Sequence, residues 1–219
     1  MNQQRVYFVT GTDTDVGKTF VSALLLQHLA KQGSAIGYKP IAAGAELIDG
    51  ELKNDDALTL IDASSEQFDY QRINPICFAP PIAPHIAAVK EGAALNIDTL
   101  NNWWQHERGH SDIALIEGAG GWRLPLNDKE LLSQFVQAQQ CEVIVVIGMK
   151  LGCLNHALLT IEAIKADGLT IKGWVANQLI DRMPYYDDNL AYLQQAIDAP
   201  LLGEVVAHQQ YHDGLFKYI

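Results

Sequence analysis

The sequence predicts an α/β protein in three layers, a mostly parallel central sheet with helices on both faces. Three observations carry this. Short apolar runs of strand length alternate with longer segments whose apolar residues recur at helical spacing. Helical segments stop at glycines, as at Gly33 and Gly168. A glycine-bearing run, Gly11 to Thr19, stands between the first apolar run and the first helical segment.

Taken in order, Val6 to Val9 reads as a buried strand, and Phe20, Val21, Leu24, Leu25 and Leu29 as the apolar face of a helix. Ala35 to Tyr38 is the second strand. Asp55 to Asp62 and Asp98 to Gln105 read as helices. Asn74 to His85 carries four prolines and reads as an ordered loop, because proline removes backbone donors and fixes φ. Ile113 to Ile116, Val143 to Ile147, Gly173 to Ala176 and Leu201 to Val206 supply four more strands. Leu131, Leu132, Phe135 and Val136 mark one intervening helix and Leu158, Ile161 and Ile164 another. Such alternation implies crossover helices over a parallel sheet. Trp103 and Trp104 cannot share a helix face, so one belongs in the core and the other is partly exposed. Asp187 and Asp188 read as helix-start charge.

At 219 residues, with no linker-like stretch or internal repeat, the chain is expected to be a single domain over 1–219. Fifteen basic against 26 acidic residues give a net charge of −11, which repels a phosphodiester backbone or an anionic lipid surface. Neither nucleic acid nor a membrane is an expected partner. Cys77, Cys141 and Cys153 are odd in number and widely spaced, so no disulfide framework or zinc site is expected and a reducing cytoplasm fits. No apolar run reaches membrane-spanning length and no signal-peptide pattern opens the chain.

The run Gly11-Thr12-Asp13-Thr14-Asp15-Val16-Gly17-Lys18-Thr19 reads as a phosphate-binding loop, which makes the predicted fold P-loop NTPase-like. Glycines let successive N–H groups turn toward phosphate oxygens, and the helix that follows adds its positive end. Lys18 reaches the outer phosphates and Thr19 is placed to hold Mg²⁺. Five residues separate Gly11 from Gly17 where the common form has four, so Thr12 stands where the first glycine is expected. In a parallel sheet the residues just after separate strands converge on one edge. Here those residues are the phosphate loop, Lys39, Glu117, Lys150 and Asn177. A lysine there can meet developing negative charge, and a strand-end carboxylate commonly binds Mg²⁺. The glycines after Glu117 let the backbone approach a ligand closely.

The segments GTDTDVGKT, GYKP, NDDALTL, NPICFAPPIAPH, EGAGGW, VIGMKLGCLNHALLT, GWVAN and APLLGE together resemble the dethiobiotin synthetase family, over most of the chain. The resemblance implies an ATP- and Mg²⁺-dependent ligase that joins 7,8-diaminopelargonate and CO₂ (or bicarbonate) into dethiobiotin in biotin biosynthesis, releasing ADP and phosphate. By similarity Lys18, Lys39 and Thr14 are catalytic, with Lys18 on the β- and γ-phosphates and Lys39 on a carbamate and the γ-phosphate. Asp15, Val16, Gly17, Lys18, Thr19, Phe20, Asp56, Glu117, Asn177 and Gln178 bind the nucleotide, Asn177 at adenine. Thr19, Asp56 and Glu117 surround Mg²⁺. Thr12, Lys39, Ala43, Gly118, Gly120, Gly121, Cys153, Leu154 and Asn155 meet the substrate. The segment from Lys150 to Asn155 takes its carboxylate at a helix start, across a homodimer interface, and a helix N-terminus independently favours an anion.

Three residues depart from the family pattern. Asp15 stands where glutamate is frequent, Ala43 where serine is frequent, and Val206 where proline is frequent. Loss of one neutral hydrogen bond at Ala43 costs about 1 kcal/mol, which weakens binding and does not abolish it. His85 and His156 have no partner at metal-ligand spacing, although His85, at the end of the proline segment, is a candidate to line the substrate cleft. Cys153 lacks a nearby base and is not read as a nucleophile. Three other readings compete: a P-loop ATPase switch of the partitioning or cell-division type, a related amide-forming ligase, and a silent binding protein on the same fold. The switch proteins usually carry a second lysine early in the loop, and here none precedes Lys18.

Overall fold

The computed structural model describes residues 4–179 and 182–219. In chain order the elements are β1 (Arg5–Gly11), α1 (Lys18–Leu29), β2 (Ala35–Tyr38), β3 (Ile41–Ala43), β4 (Glu46–Ile48), β5 (Glu51–Lys53), α2 (Asp55–Ala63), α3 (Tyr70–Ile73), β6 (Ile76–Phe78), α4 (Pro84–Glu91), α5 (Ile97–Glu107), β7 (Ile113–Gly121), α6 (Leu132–Gln139), β8 (Glu142–Gly148), α7 (Cys153–Ala166), β9 (Ile171–Asn177), α8 (Tyr186–Ala196) and β10 (Leu201–Val205). Six strands form the main sheet in the order β10-β9-β8-β1-β7-β2, every pair parallel.

Period-two alternation along β1 explains the two-faced core. Phe8 joins one apolar cluster with Leu100 and Trp104 of α5, Phe135 of α6, Ile161 of α7 and Leu193 of α8. Tyr7 and Val9 point the other way, into a cluster with Leu24 and Leu25 of α1, Leu60 of α2 and the C-terminal Phe216. Helices therefore cover both faces, as predicted. Among the described residues no helix is long and apolar enough to cross a membrane.

Local chemistry sets the helix starts. Asn54 caps α2 by accepting from Asp56 N at 3.1 Å, and Asn96 caps α5 by accepting from Thr99 N at 2.9 Å. Asp187 and Asp188 lie in the first turn of α8, where the helix dipole favours them. Trp104 is buried against Tyr38 and Trp103 is partly buried.

Three expectations are corrected. Asn74 to His85 is not simply a loop: it holds β6, which pairs with β3 outside the main sheet, and the start of α4, with Pro84 in the first turn where its missing N–H is harmless. The third main-sheet strand does not stop at Ile116 but continues through Glu117 to Gly121. Leu131 is the N-cap of α6, with Gln134 Oε1 accepting from its N–H at 2.8 Å, and not a helical residue.

Candidate active site

Because the main-sheet strands are parallel, the C-terminal ends of β1, β2, β7, β8 and β9 share one edge. The loop from Thr12 to Gly17 folds over that edge. Thr12 N donates to Val146 O of β8 at 3.1 Å, and Lys18 Nζ reaches back to Asp13 O at 3.3 Å. Gly17 caps α1 with φ +80, and Asp15 has φ 58, a left-handed conformation that aspartate tolerates better than most residues. The first N–H groups of α1 have no partner within the helix and lie at the end of this loop.

Lys39, directly after β2, is buried among acids. Its Nζ donates to Glu117 Oε1 at 2.7 Å, Asp56 Oδ2 at 2.8 Å and Gly118 O at 3.3 Å. Thr19 Oγ1 donates to the same Glu117 Oε1 at 2.7 Å. Burial pushes the Lys39 ammonium down, but Glu117 and Asp56 outweigh it and hold the group above the ordinary lysine range. Burial likewise pushes the Asp56 carboxyl up, and the charge and hydrogen bond of Lys39 more than reverse that. Lys18 is lowered, chiefly by burial and next by the nearby Lys39 charge.

A cavity of about 740 Å³ opens over this cluster, large enough for a nucleotide-sized ligand. Of the residues singled out from sequence, Thr14, Asp15, Gly17, Lys18, Thr19, Lys39, Ala43, Asp56 and Gly120 line it. Glu117 has no exposed surface and sits beneath the cavity, reaching it through Thr19 and Lys39. Gly118 accepts from Lys39 Nζ through its carbonyl and packs on the core, since a Cβ there would lie 2.9 Å from Phe8 Cζ. Gly121 stands opposite Gly11 in the β1–β7 register.

Other candidates stand outside this wall. Thr12, Val16 and Phe20 pack behind the loop or against the core, and Gln178 N donates to Val205 O at 2.8 Å. Asn177 is buried; its Nδ2 donates to Val16 O at 2.8 Å and its Oδ1 has no partner among the described residues. Cys153, Leu154 and Asn155 form the first turn of α7, and the preceding Lys150 reaches the loop, pairing with Asp13 at 3.2 Å. Burial raises the Cys153 thiol, in keeping with an inert side chain. His85 does not line the cavity, as had been expected of it; Pro81 to Pro84 do.

Sequence reasoning missed Ala42, Asn54, Ala119 and Leu124 as wall residues. Asn54 caps α2, and its Nδ2 also donates to Ala43 O at 3.3 Å, tying β3 to α2.

The donor set fits a hard divalent cation: one hydroxyl and two carboxylates, all oxygen. Among the described residues Glu117 Oε2 is buried and without a hydrogen-bond partner, so a lone pair remains there for a cation.

A strand, a glycine-bearing loop, a lysine and hydroxyl opening the next helix, and a buried carboxylate on the neighbouring strand together define a P-loop nucleotide-binding α/β protein. Solved structures agree on the fold. The septum site-determining protein MinD of Pyrococcus horikoshii, complexed with Mg-ADP, matches with a TM-score of 0.59 at 18% identity, covering 93% of this chain and 81% of that one. The MinC:MinD cell division complex of Aquifex aeolicus gives 0.54 at 15%, covering 92% and 81%. At such identities the likeness concerns the fold alone.

Sequence comparison is more specific. A family model described as an AAA domain matches residues 5–212. The ATP-dependent dethiobiotin synthetase BioD of Alteromonas mediterranea is 51% identical over 211 residues, 91% of each chain. That of Aromatoleum aromaticum is 46% identical over 209 residues, 95% of this chain and 92% of the other. The chain belongs to the ATP-dependent dethiobiotin synthetase family.

Proposed function

We propose that this chain closes the ureido ring of dethiobiotin from 7,8-diaminopelargonate and CO₂, using ATP and working as a homodimer. It is an ATP-dependent enzyme of biotin biosynthesis that forms a carbon–nitrogen bond. The observation that carries the detailed reading is the convergence of Lys18, Thr19, Lys39 and Asp56 on one cavity wall, with Glu117 beneath.

The chemistry proceeds in three balanced steps. One substrate amine adds to CO₂, forming a C–N bond and losing a proton, to give a carbamate. A carbamate oxygen attacks the γ-phosphorus of ATP as the bond to ADP breaks, giving a carbamic-phosphoric anhydride. The neighbouring amine attacks the carbamoyl carbon; phosphate leaves with the C–O bonding pair, the amine loses a proton, and the ring closes.

Each step gathers negative charge, so fixed cations do most of the work. Lys18 would bind the β- and γ-phosphates, with Thr14 and the loop amides around them. Lys39 would hold the carbamate oxygen against the γ-phosphate. Thr19, Asp56 and Glu117 would hold Mg²⁺, which supplies further positive charge to the phosphate oxygens when bound. Asn177 Oδ1, without a partner among the described residues, would accept from the adenine amino group. Cys153 to Asn155, outside the cavity lining among the described residues, would take the substrate carboxylate at the start of α7 in a site completed by a second copy.

Bicarbonate carrying the heavy oxygen isotope tests the route. A carbamate attack delivers one labelled oxygen per turnover into the released phosphate. Unlabelled phosphate alongside labelled dethiobiotin would refute it.

A further inference from the structure

The Lys39 ammonium has three protons, and each is committed: to Glu117 Oε1, to Asp56 Oδ2 and to Gly118 O, at 2.7, 2.8 and 3.3 Å. None is left for a reacting carbamate. The oxygens that accept them are the same carboxylates whose chemistry suits a divalent cation, and Thr19 Oγ1 is directed at Glu117 Oε1 as well.

Two carboxylates held this close repel one another unless a cation lies between them. Glu117 is completely buried, so water cannot screen it. Among the described residues Lys39 is the one cation in contact with both carboxylates. It leaves the pair with one net negative charge, whereas a divalent ion would neutralise it.

We propose that Lys39 is an internal cation standing in the metal site, and that Mg²⁺ and the Lys39 ammonium compete for Asp56 and Glu117, so that metal entry releases Lys39 to the reacting group. This rests on the reading of Thr19, Asp56 and Glu117 given above.

The surrounding structure confines the change to one side chain. Lys39 N donates to Ile73 O at 3.0 Å and Lys39 O accepts from Asn74 Nδ2 at 2.5 Å, which pins the backbone on both sides. The flexible stem can swing without moving β2, and Lys39 already lines the cavity into which it would swing. The exchange imposes an order: metal and nucleotide arrive before the carbamate meets a free ammonium.

The test is metal binding without nucleotide, which does not depend on turnover and so separates this proposal from the proposed reaction. Mn²⁺ is titrated into the full chain and free Mn²⁺ is followed by electron paramagnetic resonance. Lys39→Met keeps the stem and removes the charge. It is expected to bind one Mn²⁺ at least about tenfold more tightly than the parent. Adding Glu117→Gln to that variant should abolish the gain. Equal or weaker affinity in Lys39→Met, or a gain that survives Glu117→Gln, would overturn the proposal.

Should Lys39→Met not fold, the parent protein supplies the decision. Its Lys39 side-chain ammonium resonance, isotopically labelled at nitrogen, is expected to move when Mg²⁺ and a non-hydrolysable ATP analogue are added. A resonance unchanged at saturation would equally overturn it.

Discussion

The side-chain amide of Asn177, at the end of β9, donates to the carbonyl of Val16 inside the phosphate loop at 2.8 Å. A strand end 161 residues further along the chain thus braces the turn that leads into α1. The same nitrogen explains the glycine beside it: a Cβ on Gly17 would lie 2.2 Å from Asn177 Nδ2, and Gly17 has φ +80. A side chain there meets both a buried polar group and a disfavoured backbone conformation.

Gly17→Ala is therefore expected to disturb the loop more than its size implies. The left-handed backbone alone costs about 1–2 kcal/mol, and displacing Asn177 removes a buried hydrogen bond of about 1 kcal/mol. Calorimetric titration with a non-hydrolysable ATP analogue should show at least about a tenfold loss of affinity. Affinity within about twofold of the parent would mean that the loop accommodates the methyl.

Lys39→Gln separates chemistry from nucleotide binding. The neutral amide retains some hydrogen bonding but cannot stabilise the transferring group as a charge. Removal of one preorganised donor of this kind costs about 10²–10³ in kcat. Steady-state kinetics should show that drop, with affinity for the metal-free nucleotide largely unchanged, and turnover like the parent's would remove Lys39 from the mechanism.

Thr19→Val deletes the hydroxyl that donates to Glu117 at 2.7 Å and that is proposed to meet the metal. Its effect should depend on the metal. With Mg²⁺ present nucleotide binding should weaken by about tenfold, and with chelator present the variant and parent should bind alike. An equal loss in both conditions would assign Thr19 a structural role only.

Acid should remove the contribution of Asp56. Lys39 holds its folded-state carboxyl below the usual range despite the upward push of burial, so folding favours the ionised form. That contribution is complete above the unfolded-state value of about 3.9 and is lost as pH falls through the lower folded value. Lys39 has the opposite sign: its raised value makes its contribution complete below about 10.4, lost as pH climbs through the folded value. Urea unfolding should find Asp56→Asn less stable than the parent at neutral pH, with the gap closing in acid below about pH 4. A gap constant across that range would mean that the pair does not stabilise the fold.

Much of this site was legible because its parts follow strand ends. The apolar runs located all six strands of the main sheet, and Gly17-Lys18-Thr19 and Lys39, which follow β1 and β2, meet Glu117 as parallel topology requires, although Glu117 lies within β7 and not after it. What was hidden depends on tertiary contact. β6 is three residues long, too short to show alternation, and forms by pairing with β3. β7 runs on through glycines that ordinarily weaken a strand, because a Cβ at Gly118 would collide with Phe8. Asn54 was not singled out in sequence: its place on the cavity wall follows from the packing of α2 beside β3. His85 follows the wall-forming prolines in sequence, yet the first turn of α4 carries it away from the cavity.

The most direct measurement is ADP release from Mg-ATP with and without 7,8-diaminopelargonate in bicarbonate buffer, with mass analysis of the products. ADP release that requires the diamine and is matched by dethiobiotin is the predicted result. ADP release at the same rate without the diamine, or diamine-dependent release that yields no dethiobiotin, would contradict the account.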